Sequence, residues 1–128
     1  EIPPIIGELT KLNKLILLDN EITDISILEN CSRLEHLFIS NNNVSDLSPL
    51  EYLVKLKNIR ASSNNIKDLS PLCGLQRLML LDVGFNEVEE IPSNLYKLKE
   101  LSTLKIKGCN LNYNDVDKKK FVKKINLV

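Results

Sequence analysis

The sequence contains no tryptophan, one histidine and only four glycines, and aromatic residues make up 5% of its 128 positions. The glycines are scattered, so there is no Gly-rich loop of the kind that cradles phosphate groups. Basic and acidic residues number 17 each, and this balance argues against a general nucleic-acid binder. No apolar run approaches the roughly 20 residues that a membrane-spanning helix needs. We therefore expect neither a nucleic-acid partner nor a membrane span.

Chemically reactive side chains are also few. His36 is the only histidine, and no acid or nucleophile has a spacing that places it beside this ring. The three cysteines, Cys31, Cys73 and Cys109, do not form a disulfide framework. Together with His36 they do not match the spacing of zinc ligands. We therefore predict that the chain is not an enzyme, binds no cofactor or metal, and takes no small-molecule substrate.

What the sequence does contain is one phrase repeated five times, with apolar residues at fixed places and an asparagine near its end. Asn20, Asn42, Asn64 and Asn86 are 22 residues apart, and Cys109 takes the same place 23 residues after Asn86. A fixed period of this length indicates a solenoid, in which each repeat forms one turn of a coil. The five phrases begin at Leu12, Leu34, Leu56, Leu78 and Leu101.

Each phrase predicts one short strand. Its fourth and sixth positions are apolar and alternate with outward positions, which is the period of a strand. Because every strand runs in the same direction, the strands form a parallel sheet along one side of the coil. At the bend after each strand, backbone N–H and C=O groups need partners, and an asparagine amide offers both donors and an acceptor. We expect a structural ladder in which each side chain bonds to its own loop and the next: Asn20, Asn42, Asn64, Asn86 and Cys109.

The phrase L-x-x-L-x-L-x-x-N-x-L resembles the leucine-rich-repeat family, and the resemblance covers nearly all of the chain. The 22-residue repeats are similar to those of the type-1 phosphatase regulator, the axonemal dynein light chain and the bacterial internalins. The resemblance implies an α/β solenoid, a right-handed arc with a short parallel sheet on its concave face. It also implies turns and short helical segments on the convex face and a cap helix at the C-terminus.

The repeats divide the chain into three parts. We expect one leucine-rich-repeat domain over residues 1–128, with a partial repeat at 1–11, five repeats at about 12–111 and a C-terminal cap at about 112–128. The first part aligns with the back half of a later turn, so its strand half is absent. Either its apolar residues cap the N-terminal end poorly or the natural protein continues upstream. We favour the second and expect the domain to be part of a longer chain.

The C-terminal segment predicts a helix. Residues 114–117 read as a helix start with acidic residues in the first turn. Val116, Phe121 and Ile125 would form the apolar stripe that covers the last repeat. The five lysines of residues 118–124 would then be the polar face of this helix. The alternatives for this basic cluster are a nuclear-import signal and a patch for anionic surfaces.

The repeat phase also identifies the side chains that face outward from the sheet, on the concave face. Ile16, Leu18 and Phe38 cluster near its N-terminal end, either as interface anchors or as strand-forming residues beneath a missing neighbour. Five strands about 4.8 Å apart make a face roughly 20 Å across, which is enough for one protein partner. We predict these partner-binding residues: Lys14, Ile16, Leu18, His36, Phe38, Arg60, Asp82, Phe85 and Lys105.

These features predict a non-catalytic interaction scaffold, itself a monomer, that binds another protein through its concave face. One alternative is a secreted or surface adhesin or receptor ectodomain of the internalin type. Another is the targeting segment of an enzyme whose catalytic part lies outside this chain. Secreted members of the family usually close their ends with cysteine clusters. Because this sequence has none, we expect an intracellular setting, in the cytoplasm, the nucleus or a cilium.

Overall fold

The computed structural model describes all 128 residues and shows a coil in which each repeat adds one strand to a single parallel sheet. Six strands lie side by side in sequence order, and equivalent residues of neighbouring repeats are paired, as Leu15 is with Leu37. The predicted solenoid with a parallel sheet is confirmed. The strands are β1 Lys14–Ile16, β2 His36–Phe38, β3 Asn58–Arg60, β4 Leu80–Asp82, β5 Thr103–Lys105 and β6 Asn126–Leu127.

The strands divide their side chains between the core and one outer surface. In each three-residue strand from β1 to β5 the middle residue is buried and its two neighbours point outward. Leu37, Ile59 and Leu81 have no solvent exposure at all. The core therefore lies directly beneath the sheet, and the outward residues form a surface that the core holds in place.

The side of the coil opposite the sheet is built from 3-10 turns, with no long helix. Asp24, Asp46 and Asp68 each accept a hydrogen bond at 2.8 Å from the backbone N–H of the serine two residues further on. This bond fixes the tight turn that precedes a helical segment. One turn lies in the partial repeat and one follows each of the first four strands: Pro4–Glu8, Ser26–Asn30, Ser48–Leu50, Ser70–Leu72 and Ser93–Lys97.

The asparagine at the end of each phrase ties one repeat to the one before it. The Asn64 oxygen accepts the N–H of Val44 at 2.9 Å, and its nitrogen donates to the carbonyl of Ile39 at 3.0 Å. The same nitrogen also donates to a carbonyl of its own repeat at 3.1 Å. Asn42 and Asn86 make the same set of bonds. The bonds run to the preceding repeat, so the expected direction, toward the next repeat, is wrong.

This direction leaves the two ends of the ladder unequal. Asn20 has no complete repeat before it, is exposed, and donates only to the carbonyl of Leu18 at 2.8 Å. At the other end the Cys109 thiol donates to the carbonyl of Val83 at 3.1 Å. Burial raises the pKa of the Cys109 thiol, which keeps it protonated and able to donate. A cysteine can therefore stand at the last position of the ladder.

The N-terminal residues pack as the back half of a turn. The 3-10 turn Pro4–Glu8 lies beside Ser26–Asn30, and Ile2 is buried in the core. The Cys31 thiol donates to the carbonyl of Ile6 at 3.5 Å, which links this segment to the first full repeat.

The predicted C-terminal cap helix is wrong. Two separate 3-10 turns, Tyr113–Asp115 and Lys118–Lys120, take its place and are followed by β6. The side chains of Asn112 and Asp117 each accept a backbone N–H two residues on, so each turn starts at its own cap. Lysines three and four residues apart repel one another in a helix, which disfavours a continuous helix through residues 118–124.

The sheet provides the second reason for the missing helix. The N–H of Asn126 donates to Ser102 at 2.7 Å, and the carbonyl of Val128 accepts the N–H of Ile106 at 2.7 Å. By adding β6, the tail satisfies backbone groups in β5 and on either side of it that a helix would leave open. The expected apolar cover still forms, since Val116, Phe121 and Ile125 are all buried.

Candidate partner-binding surface

The outward side chains of the sheet form one continuous surface, which we call the sheet face. It consists of the two outward residues of each strand from β1 to β5, together with the outward residue at each strand exit. The strand residues are Lys14, Ile16, His36, Phe38, Asn58, Arg60, Leu80, Asp82, Thr103 and Lys105. The exit residues are Leu18, Ser40, Ser62, Gly84 and Lys107.

Phe38 lies between two cations on this face. The guanidinium carbon of Arg60 is 4.8 Å from the ring centroid of Phe38, and the ammonium of Lys14 is 5.5 Å from it. Because Lys14 belongs to β1 and Arg60 to β3, the cations come from the strands on either side of the ring. Cations at these distances are attracted to an aromatic face. The ring is therefore held in position while remaining partly exposed.

Two further apolar side chains extend this site toward the N-terminal end. Ile16 pairs with Phe38 in the sheet and is 50% exposed, and Leu18 is 42% exposed. Single exposed apolar residues are ordinary on protein surfaces, whereas neighbouring ones mark interaction sites. We call Ile16, Leu18 and Phe38 the apolar patch.

Polar side chains occupy the middle of the sheet face and bond to their equivalents in the next repeat. The Asn58 amide lies 2.9 Å from Nδ1 of His36, and the Ser62 hydroxyl donates to that of Ser40 at 3.0 Å. The Asn58 amide nitrogen can only donate, so Nδ1 of His36 is the acceptor in this contact. His36 therefore belongs to a row of surface hydrogen bonds.

A residue with left-handed backbone conformation lies three positions after the end of each strand from β1 to β5. The φ angles are 55° at Asp19, 58° at Asn41, 54° at Ser63, 53° at Phe85 and 78° at Gly108. Glycine, asparagine and aspartate tolerate this conformation well, but a bulky aromatic residue does not. Phe85 is nevertheless 59% exposed and gains no burial in the core to offset the strain. The sequence predicts that Phe85 faces outward but does not show its backbone strain.

The C-terminal part of the sheet face is charged. Asp82 accepts the backbone N–H of Gly84 at 3.1 Å, which ties its carboxylate to its own strand exit. Lys105 and Lys107 are both exposed, and neither forms an ion pair within the chain.

Two ion pairs join side chains of neighbouring repeats outside the sheet face. Lys57 contacts Glu35 at 3.0 Å, and its hydrogen bond holds the pKa of Glu35 below the ordinary value. Lys67 contacts Glu87 at 3.2 Å, and its hydrogen bond likewise lowers the pKa of Glu87. These carboxylates are therefore ionised at neutral pH and already have cationic partners.

A separate cleft of about 470 Å³ lies away from the sheet face. It opens between the turn Ser93–Lys97 and the C-terminal segment, with Tyr96 and Val116 among its walls. Its charged lining mixes Glu89 and Glu90 with Lys120, so it presents no single sign of charge. No group of three or more histidine, cysteine or acidic side chains anywhere in the chain is arranged to hold a metal ion.

The family comparison agrees with this architecture. A family model described as "Leucine Rich repeats (2 copies)" matches residues 10–52, which include the first two strands and the first two ladder asparagines. The same pattern of strand, ladder and turn continues through the fifth strand. The chain is a leucine-rich-repeat solenoid.

Solved structures of other leucine-rich-repeat proteins superpose on nearly the whole chain. An internalin (InlF) from Listeria monocytogenes is 30% identical with a TM-score of 0.89, covering 98% of this chain and 36% of its own. Internalin C2 from the same species is 25% identical with a TM-score of 0.82, covering 98% and 55%. A leucine-rich-repeat protein from Leptospira interrogans is 24% identical with a TM-score of 0.91, covering 100% and 34%. That last likeness shows the fold alone.

This leucine-rich-repeat chain thus spans between about a third and about half of the solved proteins it resembles. No curated protein sequence matches it. Leucine-rich-repeat folds are typical of protein-interaction modules, and proteins of this family are generally non-catalytic scaffolds. None of the helical segments is long and apolar enough to cross a membrane.

Proposed function

We propose that this leucine-rich-repeat chain is a non-catalytic scaffold that binds a segment of another protein on its sheet face. The observation that carries the proposal is the apolar patch, where Phe38 is held between Lys14 and Arg60 and stays partly exposed. Aromatic residues and arginine are enriched at protein interfaces, and arginine is among the residues that most often carry their binding energy.

The size of the sheet face supports a protein ligand. Five strands about 4.8 Å apart give a width of roughly 20 Å, and fifteen outward residues, all but Gly84 with a side chain, line it. One side of a standard protein interface uses about 20–30 residues. A segment laid across the sheet would therefore contact most of the face and could reach the rim at Phe85.

The surface is also preorganised, which favours binding. The side-chain bonds between His36 and Asn58 and between Ser40 and Ser62 fix groups that would otherwise lose freedom on binding. The backbone beneath is held by the sheet and by the asparagine ladder. Little of the binding free energy would then be spent on ordering this side of the interface.

The likeness to internalins favours a second candidate, a secreted or surface adhesin. We place the chain inside the cell instead, because Cys31, Cys73 and Cys109 are all free thiols in the structure. Fractionation of the source cells with an antibody against the chain separates the two. Signal in the soluble intracellular fraction supports the scaffold, and signal on the cell surface supports the adhesin.

The binding proposal is tested by comparing two aromatic substitutions in a pull-down from the source cells. Phe38→Ala removes the centre of the apolar patch. Tyr52→Ala removes an aromatic side chain that is 82% exposed and lies next to the Ser48–Leu50 turn, away from the sheet. Both variants should keep the circular dichroism of the native chain. A partner captured by the native chain and by Tyr52→Ala, but lost with Phe38→Ala, is the expected result. A partner that Phe38→Ala retains would contradict the proposal.

A further inference from the structure

The neutral total charge hides an uneven distribution along the chain. Residues 97–128 contain nine of the 17 basic residues and only three of the 17 acidic ones. The first 96 residues therefore carry an excess of acidic groups, and the C-terminal quarter carries an equal excess of basic groups.

The sheet face departs from neutrality in its own right. It carries four cationic side chains, Lys14, Arg60, Lys105 and Lys107, and a single anionic one, Asp82. Carboxylates elsewhere in the chain do not compensate them, because the three ion pairs of the structure involve other basic residues. These four cations are therefore available to carboxylates of a partner.

These charges are ordered relative to the apolar patch. The patch lies on β1 and β2, and the two exposed lysines lie on and just after β5, at the opposite end of the face. Between them, Asp82 has its carboxylate bonded to the N–H of Gly84, so it contributes one fixed negative charge in the middle.

We propose that the sheet face binds an acidic segment of another protein, with apolar side chains over the apolar patch and carboxylates against Lys105 and Lys107. This inference rests on the proposed function and adds the chemistry and the orientation of the partner. Lys14 and Arg60 would bind carboxylates of the segment as well. Both cations lie beside Phe38, so a carboxylate next to the apolar side chain that packs on Phe38 would be within their reach.

A nucleic acid fits the same face less well. Its phosphates repeat evenly along the strand, and their affinity comes from neutralising each one. Here Asp82 interrupts the row of cations, and Ile16 and Leu18 offer no polar contact at the other end. A protein segment can vary its charge along its length and match this order.

Selection from a random peptide display library on the folded chain tests the inference. The enriched peptides should combine aspartate or glutamate with leucine, isoleucine or aromatic residues. A synthetic peptide of the most enriched sequence is then the probe, and its affinity is measured by fluorescence anisotropy at low and high salt.

Charge reversal separates the acidic contact from general electrostatics. Lys105→Glu/Lys107→Glu should weaken the probe about tenfold at low salt and much less at high salt, because exposed charges are screened. Lys118→Glu/Lys119→Glu changes the total charge by the same amount, but both positions lie outside the sheet face. The affinity of this variant for the probe should stay within about twofold of the native value. Lys105→Gln/Lys107→Gln, checked by circular dichroism, repeats the test should the reversal variant fail to fold.

Each other outcome overturns a specific part of the argument. If the selected peptides are basic or uncharged and Phe38→Ala abolishes their binding, the acidic nature of the partner is overturned but the proposed function stands. Peptides that bind Phe38→Ala as tightly as the native chain would overturn the proposed function itself. Equal loss with the two charge-reversal variants, or tighter binding of a single-stranded oligonucleotide than of the peptide, would also overturn the inference.

Discussion

The ring of Phe85 lies against Gly108, so closely that a side-chain carbon on Gly108 would collide with it. Both residues lie three positions after the end of their strand, in the left-handed region of backbone conformation. The glycine suits that conformation and makes room for the ring. The phenylalanine does not suit it, and its exposed ring contributes to the rim of the sheet face.

We expect Phe85→Asn to stabilise the fold by about 1 kcal/mol, because asparagine is far less strained in the left-handed region. The same change should weaken partner binding, since it removes an exposed aromatic group beside the sheet face. Urea unfolding measures the first effect and titration with the captured partner the second.

Phe85→Leu is the matched control, because it keeps a bulky apolar side chain in the same strained conformation and should bring no gain in stability. A Phe85→Asn variant that is less stable than the native chain would show that the ring is structural and that strain is not its main cost.

Leu37→Ala should lower the free energy of unfolding by about 2–5 kcal/mol, because it leaves a cavity in a site that has no solvent exposure. Leu18→Ala, on the exposed side of the same sheet, should change it by less than about 0.5 kcal/mol. Chemical denaturation of both variants checks the assignment of inward and outward residues. Similar losses of unfolding free energy in the two variants would contradict this assignment.

Replacing a ladder asparagine should destabilise the fold by an amount that depends on its place in the ladder. Asn64→Ala should lose about 1–3 kcal/mol, because it leaves the buried N–H of Val44 without a partner and removes one of the two amide bonds to the carbonyl of Ile39. Asn20→Ala should lose much less, since Asn20 is exposed and makes one local bond. Urea melts of the pair give the comparison, and equal costs would contradict the direction of the ladder.

The stability of the fold should depend on the turn carboxylates at acid pH. Hydrogen bonds from the backbone N–H and hydroxyl of Ser70 hold the pKa of Asp68 below its ordinary value, and Ser26 acts likewise on the pKa of Asp24. A lowered pKa in the folded state means that this stabilisation is complete above about pH 4 and is lost as pH falls through the folded pKa.

Asp68→Asn should reduce this pH dependence, because an amide oxygen accepts the same N–H but does not titrate. Urea melts at pH 7, 5 and 3 should show a smaller fall in stability for the variant than for the native chain. Identical falls would mean that the Asp68 bond does not contribute.

The repeated part of the fold could be predicted from the sequence, because its signal is local and occurs five times. Alternation around Leu37 and Leu81 is enough to assign the core side of each strand. The direction of the ladder could not be predicted, since an amide at Asn64 can reach either neighbouring repeat. Only the path of the loop decides which backbone groups it meets.

The C-terminal end and the details of the site depend on contacts that the local pattern does not contain. Residues 112–128 have caps and an apolar spacing compatible with a helix, but pairing of β6 with β5 is a long-range gain. The stacking of Arg60 on Phe38 depends on side-chain conformations, although their equivalent places in adjacent repeats indicate that they are neighbours. The left-handed conformation of Phe85 is invisible in a pattern that specifies only the asparagine beside it.

The most direct test of the central claim is a map of amide chemical-shift changes when the captured partner is added to the isotope-labelled chain. The account predicts changes concentrated on Ile16, Phe38 and Arg60 and continuing to Lys105, with Tyr52 and the convex turns unaffected. Changes confined to the convex turns or to the C-terminal cleft, with the sheet face silent, would contradict it.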